Sequence, residues 1–316
     1  MNITNGDSAV GLLNGAGVVG DILPWRDVLH DGPVPGARDL RALSRVRAGF
    51  IADSGWADPE TVRRGFEERD SLFLDLGRFE RAVLWFEHDL YDQLQILQII
   101  DALDAVPARL PPISLICTDT YLGMADPAQV PALLDRETEV DERMRVLARR
   151  AWAAFRAPEP GNWASLLEED TKALPFLEGA VHRQLQEYPW TGHGLSRTAY
   201  QALSIIAQGE HRPGRVFGAN QRLEERVYMG DLSFWAVLSR MADGDHPLIT
   251  IGGDGALAGE NLKRPILSLT ASGESVLAGR CNALELRMPN HWIGGVRLGD
   301  GAPWCWDEPT RTIGRC

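Results

Sequence analysis

Four short apolar segments limit what the first part of this chain can fold into. They are MNIT at 1–4, GDILPW at 20–25, AVLWF at 82–86 and ISLICT at 113–118, and each is followed by a segment with helical spacing of its apolar residues. Strands that are apolar throughout are buried on both faces, and strands that alternate with helices form parallel sheets. The sequence therefore predicts an α/β domain built on a mostly parallel, Rossmann-like sheet.

The pattern changes after this domain. Apolar residues have helical spacing up to about residue 190, with an interruption at PEPGN (158–162). Three further helical segments then precede two strand-like runs, LITIGG at 248–253 and PILSLT at 265–270, with a polar loop between them, an order typical of a winged helix. The predicted regions are an α/β domain over 1–126, a helical connector over 127–191, a winged-helix-like domain over 192–280 and a Trp-containing tail over 281–316.

Composition disfavours several kinds of partner. The chain of 316 residues has a formal net charge of −12, and Lys172 and Lys263 are its only lysines. Tight non-specific binding to nucleic acid or to an anionic membrane needs clustered cations. No apolar run is long enough to cross a bilayer, and the opening MNITNGDSAV is neither basic nor apolar enough for a signal peptide. We expect a cytoplasmic protein that does not contact membranes.

The four cysteines do not predict a shared structural site. Cys117, Cys281, Cys305 and Cys316 lack the paired spacing of zinc ribbons. Cys117 lies inside an apolar strand-like run, where a free thiol acts as a small apolar side chain. Neither a zinc ribbon nor a disulfide framework is therefore expected.

Polar side chains follow each of the four predicted strands. Open parallel sheets bind ligands at the carboxyl ends of their strands, so in such a sheet these side chains would converge on one site. They are Asn5, Gly6, Asp7 and Ser8 after the first strand, Arg26, Asp27, His30 and Asp31 after the second, Glu87, His88, Asp89 and Asp92 after the third, and Asp119 and Thr120 after the fourth.

Two kinds of chemistry would use this set of residues. Carboxylates with neutral imidazoles can hold a divalent metal, and a bound metal lowers the pKa of water. The candidate metal ligands are Asp7, His88, Asp89 and Asp92. Alternatively, carboxyl groups in different environments can divide the roles of acid and base without a metal. The candidate catalytic residues are His30, Asp31, Glu87 and His88.

A ligand would need further contacts from the same strand ends. Arg26 can hold a phosphate or carboxylate through two hydrogen bonds, and the turn NGDS precedes a helix whose first amide groups can bind an anion. The candidate ligand-binding residues are Asn5, Gly6, Asp7, Ser8, Arg26 and Gln93.

These residues also have purely structural explanations. Asp7 or Ser8 can cap the first helix, Asp89 can cap the helix that begins near Leu90, and Asp31 is followed by Gly and Pro, as in ordinary turns. His88 can pair with Asp92 one helical turn away. The coincidence of four strand ends favours a functional site more than any single motif does.

Three blocks of sequence stand out in the first domain: ITNGDS, GDILPWRDVLHDGPVP and LWFEHDLYDQLQ. In this order, over roughly residues 1–125, they resemble a bacterial family catalogued as domain of unknown function 1835. The later segments LTASGESVLAG, HWIGGVRL and PWCWD resemble the tail of its longer members. The family implies no established activity. It implies that the characteristic positions here are Asn5, Gly6, Asp7, Ser8, Trp25, Arg26, His30, Asp31, Gly32, Pro33, Glu87, His88, Asp89, Asp92 and Gln93.

The winged-helix-like region carries little charge for reading DNA. Residues 195–280 contain nine Lys and Arg and nine Asp and Glu, so their net charge is zero. The predicted recognition helix, DLSFWAVLSRMA, offers only Arg240 as a cation. We therefore expect weak DNA binding or none.

The sequence leaves three hypotheses about function. The leading one is an enzyme, such as a hydrolase, or a ligand-binding protein that acts on a phosphate-bearing small molecule or nucleotide, with or without a divalent metal. The second is a transcriptional regulator that senses a ligand through the α/β domain and uses the winged helix. The third is a protein-interaction scaffold.

Overall fold

A computed structural model describes residues 1–36, 39–253, 257, 265–299 and 301–316. The chain folds into two compact units. Unit 1 comprises Met1–Val181 and Gly294–Val296, and unit 2 comprises His182–Ile293 and Arg297–Cys316.

Unit 1 is built on a five-stranded sheet. Its strands are β1 (Asn2–Thr4), β2 (Ile22–Pro24), β3 (Ala82–Glu87), β4 (Ile113–Thr118) and β5 (Thr138–Glu139). Their order is β2-β1-β3-β4-β5, and all neighbouring pairs are parallel except β4 and β5. The predicted mostly parallel sheet is therefore confirmed, and the carboxyl ends of β1 to β4 lie along one edge.

The short strand β5 interrupts a part of the chain for which the sequence predicts only helix. Thr138 and Glu139 pair antiparallel with Leu115 and Ser114 of β4. The segment around β5 is polar and exposed, so it carries none of the apolar signal that marks the other strands. Pairing with β4 alone gives these residues their extended conformation.

Four helices of unit 1 begin at an Asp side chain that accepts hydrogen bonds from the first helical turn. Asp58 accepts from Thr61 N with Pro at the next position, and Asp141 accepts from Met144 N. The boundary between the units falls within the last helix, Leu177–Leu185. The helices are α1 (Asp7–Gly15), α2 (Leu40–Asp53), α3 (Pro59–Leu74), α4 (Leu90–Ala102), α5 (Val130–Leu134), α6 (Glu142–Phe155), α7 (Gly161–Ser165) and α8 (Leu177–Leu185).

The core of unit 1 lies on both faces of the sheet, because β3 is buried along its whole length. On one face, Trp85 and Ile116 pack with Leu12 and Leu13 of α1. The indole Nε1 of Trp85 donates to Asn2 Oδ1 at 3.0 Å, so this large side chain is buried without an unsatisfied donor. The covered sheet holds the strand ends in fixed positions.

Unit 2 contains the three helices and the antiparallel strand pair that the sequence predicts after residue 192. Residues of the three helices, among them Leu203, Ile206, Phe234 and Leu238, form a buried apolar core. The polar loop predicted between the two strands lies mostly outside the described residues. The elements are α9 (Arg197–Ala207), α10 (Pro213–Gln221), α11 (Asp231–Ala242), β6 (Ile249–Ile251), β7 (Leu267–Leu269), α12 (Ala271–Leu277) and α13 (Ala283–Leu286).

The tail corrects the expectation about cysteines. Its strands are β8 (Trp292–Ile293), β9 (Val296–Arg297), β10 (Trp304–Asp307) and β11 (Thr312–Arg315). β10 and β11 pair antiparallel, which brings Cys305 and Cys316 into a disulfide with Cα atoms 5.6 Å apart. The spacing of these cysteines matches no motif, so only the strand pairing reveals the bond. Cys117 and Cys281 are free thiols.

Across the described residues, the helices are all too short or too polar to span a lipid bilayer.

Candidate functional site

The carboxyl ends of β1 and β3 bring four polar side chains together. Asn5 follows β1, Glu87 ends β3, and Asp89 and Asp92 lie at the start of α4. Asn5 Nδ2 donates to Glu87 Oε1 at 3.1 Å and to both carboxylate oxygens of Asp92 at 3.0 Å. We call Asn5, Glu87, Asp89 and Asp92 the carboxylate cluster.

The three acids of the cluster are close together and buried. Each offers one carboxylate oxygen, and these three oxygens all lie within 4.8 Å of one another. The exposed fractions of Glu87, Asp89 and Asp92 are 6%, 3% and 1%. Three buried carboxyl groups at this separation cannot all be ionised unless a cation offsets their repulsion. Without a cation, one or more of them must keep a proton.

Burial is the main cause of raised pKa values in all three carboxyl groups. Burial and then the charge of Glu87 raise the pKa of Asp89 to about 7. Burial, followed by the charges of Asp89 and Glu87, holds the pKa of Asp92 well above its usual value. Burial also raises the pKa of Glu87, against the opposing effect of hydrogen bonds from Leu122 N and Asn5. The cluster therefore retains protons near neutral pH unless a cation replaces them.

Backbone amide groups hold each acid in place. Asp89 is the N-cap of α4 and accepts from Tyr91 N at 2.9 Å and Asp92 N at 3.3 Å, which confirms its predicted capping role. Asp92 Oδ1 accepts from Glu87 N at 2.8 Å, and Glu87 Oε1 accepts from Leu122 N at 2.9 Å. The cluster is thus preorganised by the β3–α4 turn and by the segment after β4.

Gln93, a predicted ligand-binding residue, fixes this turn. Its Nε2 donates to the carbonyl oxygen of Glu87 at 2.8 Å and lies 3.4 Å from Cys117 Sγ. Burial raises the pKa of the Cys117 thiol to about 12, so this cysteine is not a thiolate nucleophile near neutral pH.

Asp7 and Arg26 form an ion pair at the surface. Arg26 Nε lies 3.1 Å from both carboxylate oxygens of Asp7, and Nη2 makes a further contact. The side chains are 57% and 73% exposed for Arg26 and Asp7, respectively. Arg26 also has a left-handed backbone, with φ of 53°, and its N–H donates to Asn5 O at 3.2 Å. Arg26 lies just after β2, the strand that pairs with β1, and this backbone hydrogen bond places it beside Asn5 of the carboxylate cluster.

The three acids within 4.8 Å differ from the predicted metal ligands. Asp89 and Asp92 belong to the group, Glu87 joins it, and Asp7 and His88 lie outside it. Gly6 is the N-cap of α1 and makes no side-chain cap, so neither Asp7 nor Ser8 caps this helix in the way considered above. Ser8 is exposed.

His88 is more buried than its position after a strand suggests. Only 8% of the residue is exposed. Its ring lies against those of Tyr121 and Phe176, with centroids 5.2 and 5.8 Å away. The sequence does not reveal that Phe176, a residue from beyond α7, covers this position.

The loop after β2 is organised by a residue that the sequence analysis missed. Arg47 of α2 is fully buried; its Nε donates to Asp27 Oδ1 at 2.9 Å, and its Nη groups donate to Val28 O, Asp31 O and Pro33 O at 2.8 to 3.2 Å. The neighbouring His30 ring lies 5.9 Å from the ring of Tyr91.

Tyr91 links this loop to the cluster. Its hydroxyl donates to Asn5 O at 3.2 Å. The ring of Tyr91 therefore lies between His30 and Asn5 at the end of β1. Asp31 is half-buried in the same loop as His30. The fourth strand end contributes less, because Asp119 is exposed and pairs with Arg136 at 2.9 Å.

The fold and the cluster together define an α/β protein with buried acids at the carboxyl edge of a mostly parallel sheet. No protein-family model matches the chain. No curated protein matches it either. The resemblance to domain of unknown function 1835 therefore stays a prediction.

Proposed function

We propose that unit 1 binds a divalent cation at the carboxylate cluster and acts on a phosphate-bearing small molecule or nucleotide, as an enzyme or as a ligand-binding protein. The observation that supports this most directly is the approach of three buried carboxylates to within 4.8 Å of one another. Ligands of open α/β sheets bind at this edge.

The donor set fits a hard cation. Glu87, Asp89 and Asp92 offer only oxygen atoms, which suit Mg²⁺, Mn²⁺ or Ca²⁺ better than softer metals. When bound, such a cation supplies Lewis acidity and lowers the pKa of water. The cation would replace protons that burial otherwise keeps on the acids, so binding should weaken as the pH falls.

The residues around the cluster have distinct roles in this proposal. Asn5 orients Glu87 and Asp92 through its amide. Arg26 would exchange its exposed partner Asp7 for a phosphate of the ligand, since a surface ion pair contributes little stability and phosphate accepts two guanidinium hydrogen bonds. His30 and Asp31 lie in the loop beside Tyr91 and would contact the ligand's remaining groups.

The first test replaces Glu87 by Gln. Gln keeps an oxygen that can accept from Leu122 N and Asn5 but removes one anionic ligand, so affinity for Mn²⁺ should fall by at least about tenfold. Calorimetric titration with Mg²⁺, Mn²⁺, Ca²⁺ and Zn²⁺ measures this loss. Asp119→Asn is the matched control, because Asp119 is an exposed acid at the next strand end, and it should bind metal as the wild type does.

A second titration tests the phosphate contact. With Mn²⁺ present, a panel of nucleotides and inorganic phosphate should bind the wild type, and Arg26→Gln should weaken this binding while leaving metal affinity unchanged. Equal metal heats for the wild type and Glu87→Gln would contradict the proposed site itself.

The alternative function, a regulator, rests on unit 2. Three helices, α9 to α11, are followed by the antiparallel pair β6 and β7, and this order supports a winged helix. Arg215 and Arg222 line a surface depression of about 510 Å³ beside α10. Such modules contact either DNA or protein, so the order of elements does not decide between them.

We predict weak, non-selective DNA binding by this region, because its cations and acids balance. Fluorescence anisotropy with random and genomic duplexes, over a salt series through about 0.15 M, is the measurement. Nanomolar, sequence-selective binding near physiological salt would instead favour the regulator.

A further inference from the structure

A cavity in unit 2 combines an apolar wall with a cationic edge. Its volume is about 100 Å³. Arg240, Arg287 and His291 line it, and none of its lining residues belongs to the carboxylate cluster. The apolar part of the wall is formed by Leu195, Ala199, Val237, Met241, Leu248 and Leu284.

The two arginines differ in how they are used. Arg287 donates through Nη1 to Arg240 O and, at 2.9 Å, to Asp243 O, so it satisfies carbonyl groups at the carboxyl end of α11. The guanidinium of Arg240 makes no hydrogen bond or ion pair within the parts of the chain that the structure describes. The guanidinium N–H groups of Arg240 can therefore donate hydrogen bonds to a ligand in the cavity.

His291 adds a second polar group to the same edge. Its Nδ1 is inaccessible to solvent and has no hydrogen-bond partner among the described residues. Burial, and then the charges of Arg240 and Arg287, hold the pKa of His291 well below its usual value, so the ring is neutral near neutral pH. A neutral imidazole can donate one N–H to an anion, and because Nδ1 is inaccessible, Nε2 is the nitrogen through which the ring would contact a ligand.

The one carboxylate on the wall does not cancel this charge, because it is already engaged. Glu187 Oε1 accepts from Arg183 Nη1 at 2.7 Å and from Thr198 Oγ1 at 2.5 Å. The cavity edge consequently has a net positive charge beside an apolar wall.

We propose that this cavity binds a small organic monocarboxylate, whose carboxylate contacts Arg240 and His291 and whose apolar body contacts Val237, Met241 and Leu248. A planar guanidinium matches a carboxylate in shape and forms two parallel hydrogen bonds with it. A cavity of about 150 Å³ holds benzene, so this one of about 100 Å³ suits a smaller apolar body, such as a short branched alkyl group. The site is independent of the function proposed for unit 1.

The test uses the full chain and isobutyrate as the probe, with isobutyramide as its uncharged match. Saturation-transfer NMR and calorimetry should detect isobutyrate binding below about 10 mM, with isobutyramide at least about tenfold weaker. Arg240→Gln should lower isobutyrate affinity by about tenfold or more and leave isobutyramide affinity unchanged. Arg280→Gln, at an exposed arginine outside the cavity, should behave as the wild type.

A variant that fills the cavity separates binding there from binding elsewhere. Leu284→Trp, at a half-buried lining position, should abolish binding of isobutyrate and isobutyramide alike. If Arg240→Gln does not fold, as judged by circular dichroism, Arg240→Lys replaces it, with a smaller loss expected because the charge is kept but the planar pair of donors is lost. The proposal is overturned if isobutyrate does not bind the wild type, or if it binds the arginine and Trp variants as tightly as the wild type.

Discussion

Without a divalent cation, unit 1 is expected to lose about 3 kcal/mol of stability between pH 5 and pH 7 through the carboxylate cluster. The pKa of Asp89 is raised from an ordinary value of 3.8 to about 7. A carboxyl group with a raised folded-state pKa stabilises the fold fully below its unfolded-state pKa, and this contribution is lost as the pH rises through the folded-state value. Asp92 and Glu87 shift in the same direction.

Two half-buried histidines of unit 2 work against this trend at lower pH. Burial lowers the pKa of His193 to about 4, and the pKa of His291 is also lowered. Their contributions are present above the unfolded-state pKa of 6.5 and decline as the pH falls below it. A comparison of a cluster variant with the wild type at each pH removes these common effects.

Glu87→Gln is the informative variant for stability as well as for metal binding. In EDTA it should melt at a higher temperature than the wild type at pH 8, where repulsion in the cluster is strong, and at nearly the same temperature at pH 5. Added Mn²⁺ should stabilise the wild type at pH 8 and not the variant. Asp119→Asn should follow the wild type throughout. A difference in melting temperature that does not depend on pH would contradict the buried-acid explanation.

The sheet and part of the cluster could be predicted from local sequence. The apolar runs of β1 to β4 identify strands because each is buried on both faces, and Asp58 and Asp89 identify helix starts because capping is a local interaction. The parallel strands predict that Asn5 and Asp92 lie at one edge of the sheet. Sequence spacing does not give the distance between the carboxylates of Glu87 and Asp89, so the sequence indicates a catalytic role for Glu87 rather than metal binding.

The missed features depend on contacts between distant residues. Nothing local to β3 indicates that Phe176 covers the His88 ring. Residue type does not identify Leu122 as a contact of Glu87, because any residue other than proline can donate a backbone N–H there. Arg47 lies on the same buried face of α2 as Leu43 and Ile51, but its residue type does not indicate that the loop after β2 packs on its guanidinium.

Replacing Arg47 by Met is expected to destabilise unit 1 by about 4 kcal/mol. The side chains of Arg47 and Asp27 are both fully buried, with Nε and Oδ1 2.9 Å apart. The substitution leaves the Asp27 charge buried without its partner and removes the donor to three loop carbonyls, those of Val28, Asp31 and Pro33. The loop that carries His30 and Asp31 should therefore lose its fixed conformation.

Urea denaturation followed by circular dichroism measures the loss of stability, and hydrogen exchange of peptides from β1, β2 and α2 assigns the transition to unit 1. Arg63→Met is the control; Arg63 forms exposed ion pairs on α3, and its loss should change the unfolding midpoint little. The double variant Asp27→Asn with Arg47→Met should be more stable than Arg47→Met alone, because it no longer buries a lone charge. If the double variant is the less stable of the two, the buried charge is not the cause, and the lost carbonyl hydrogen bonds account for the effect instead.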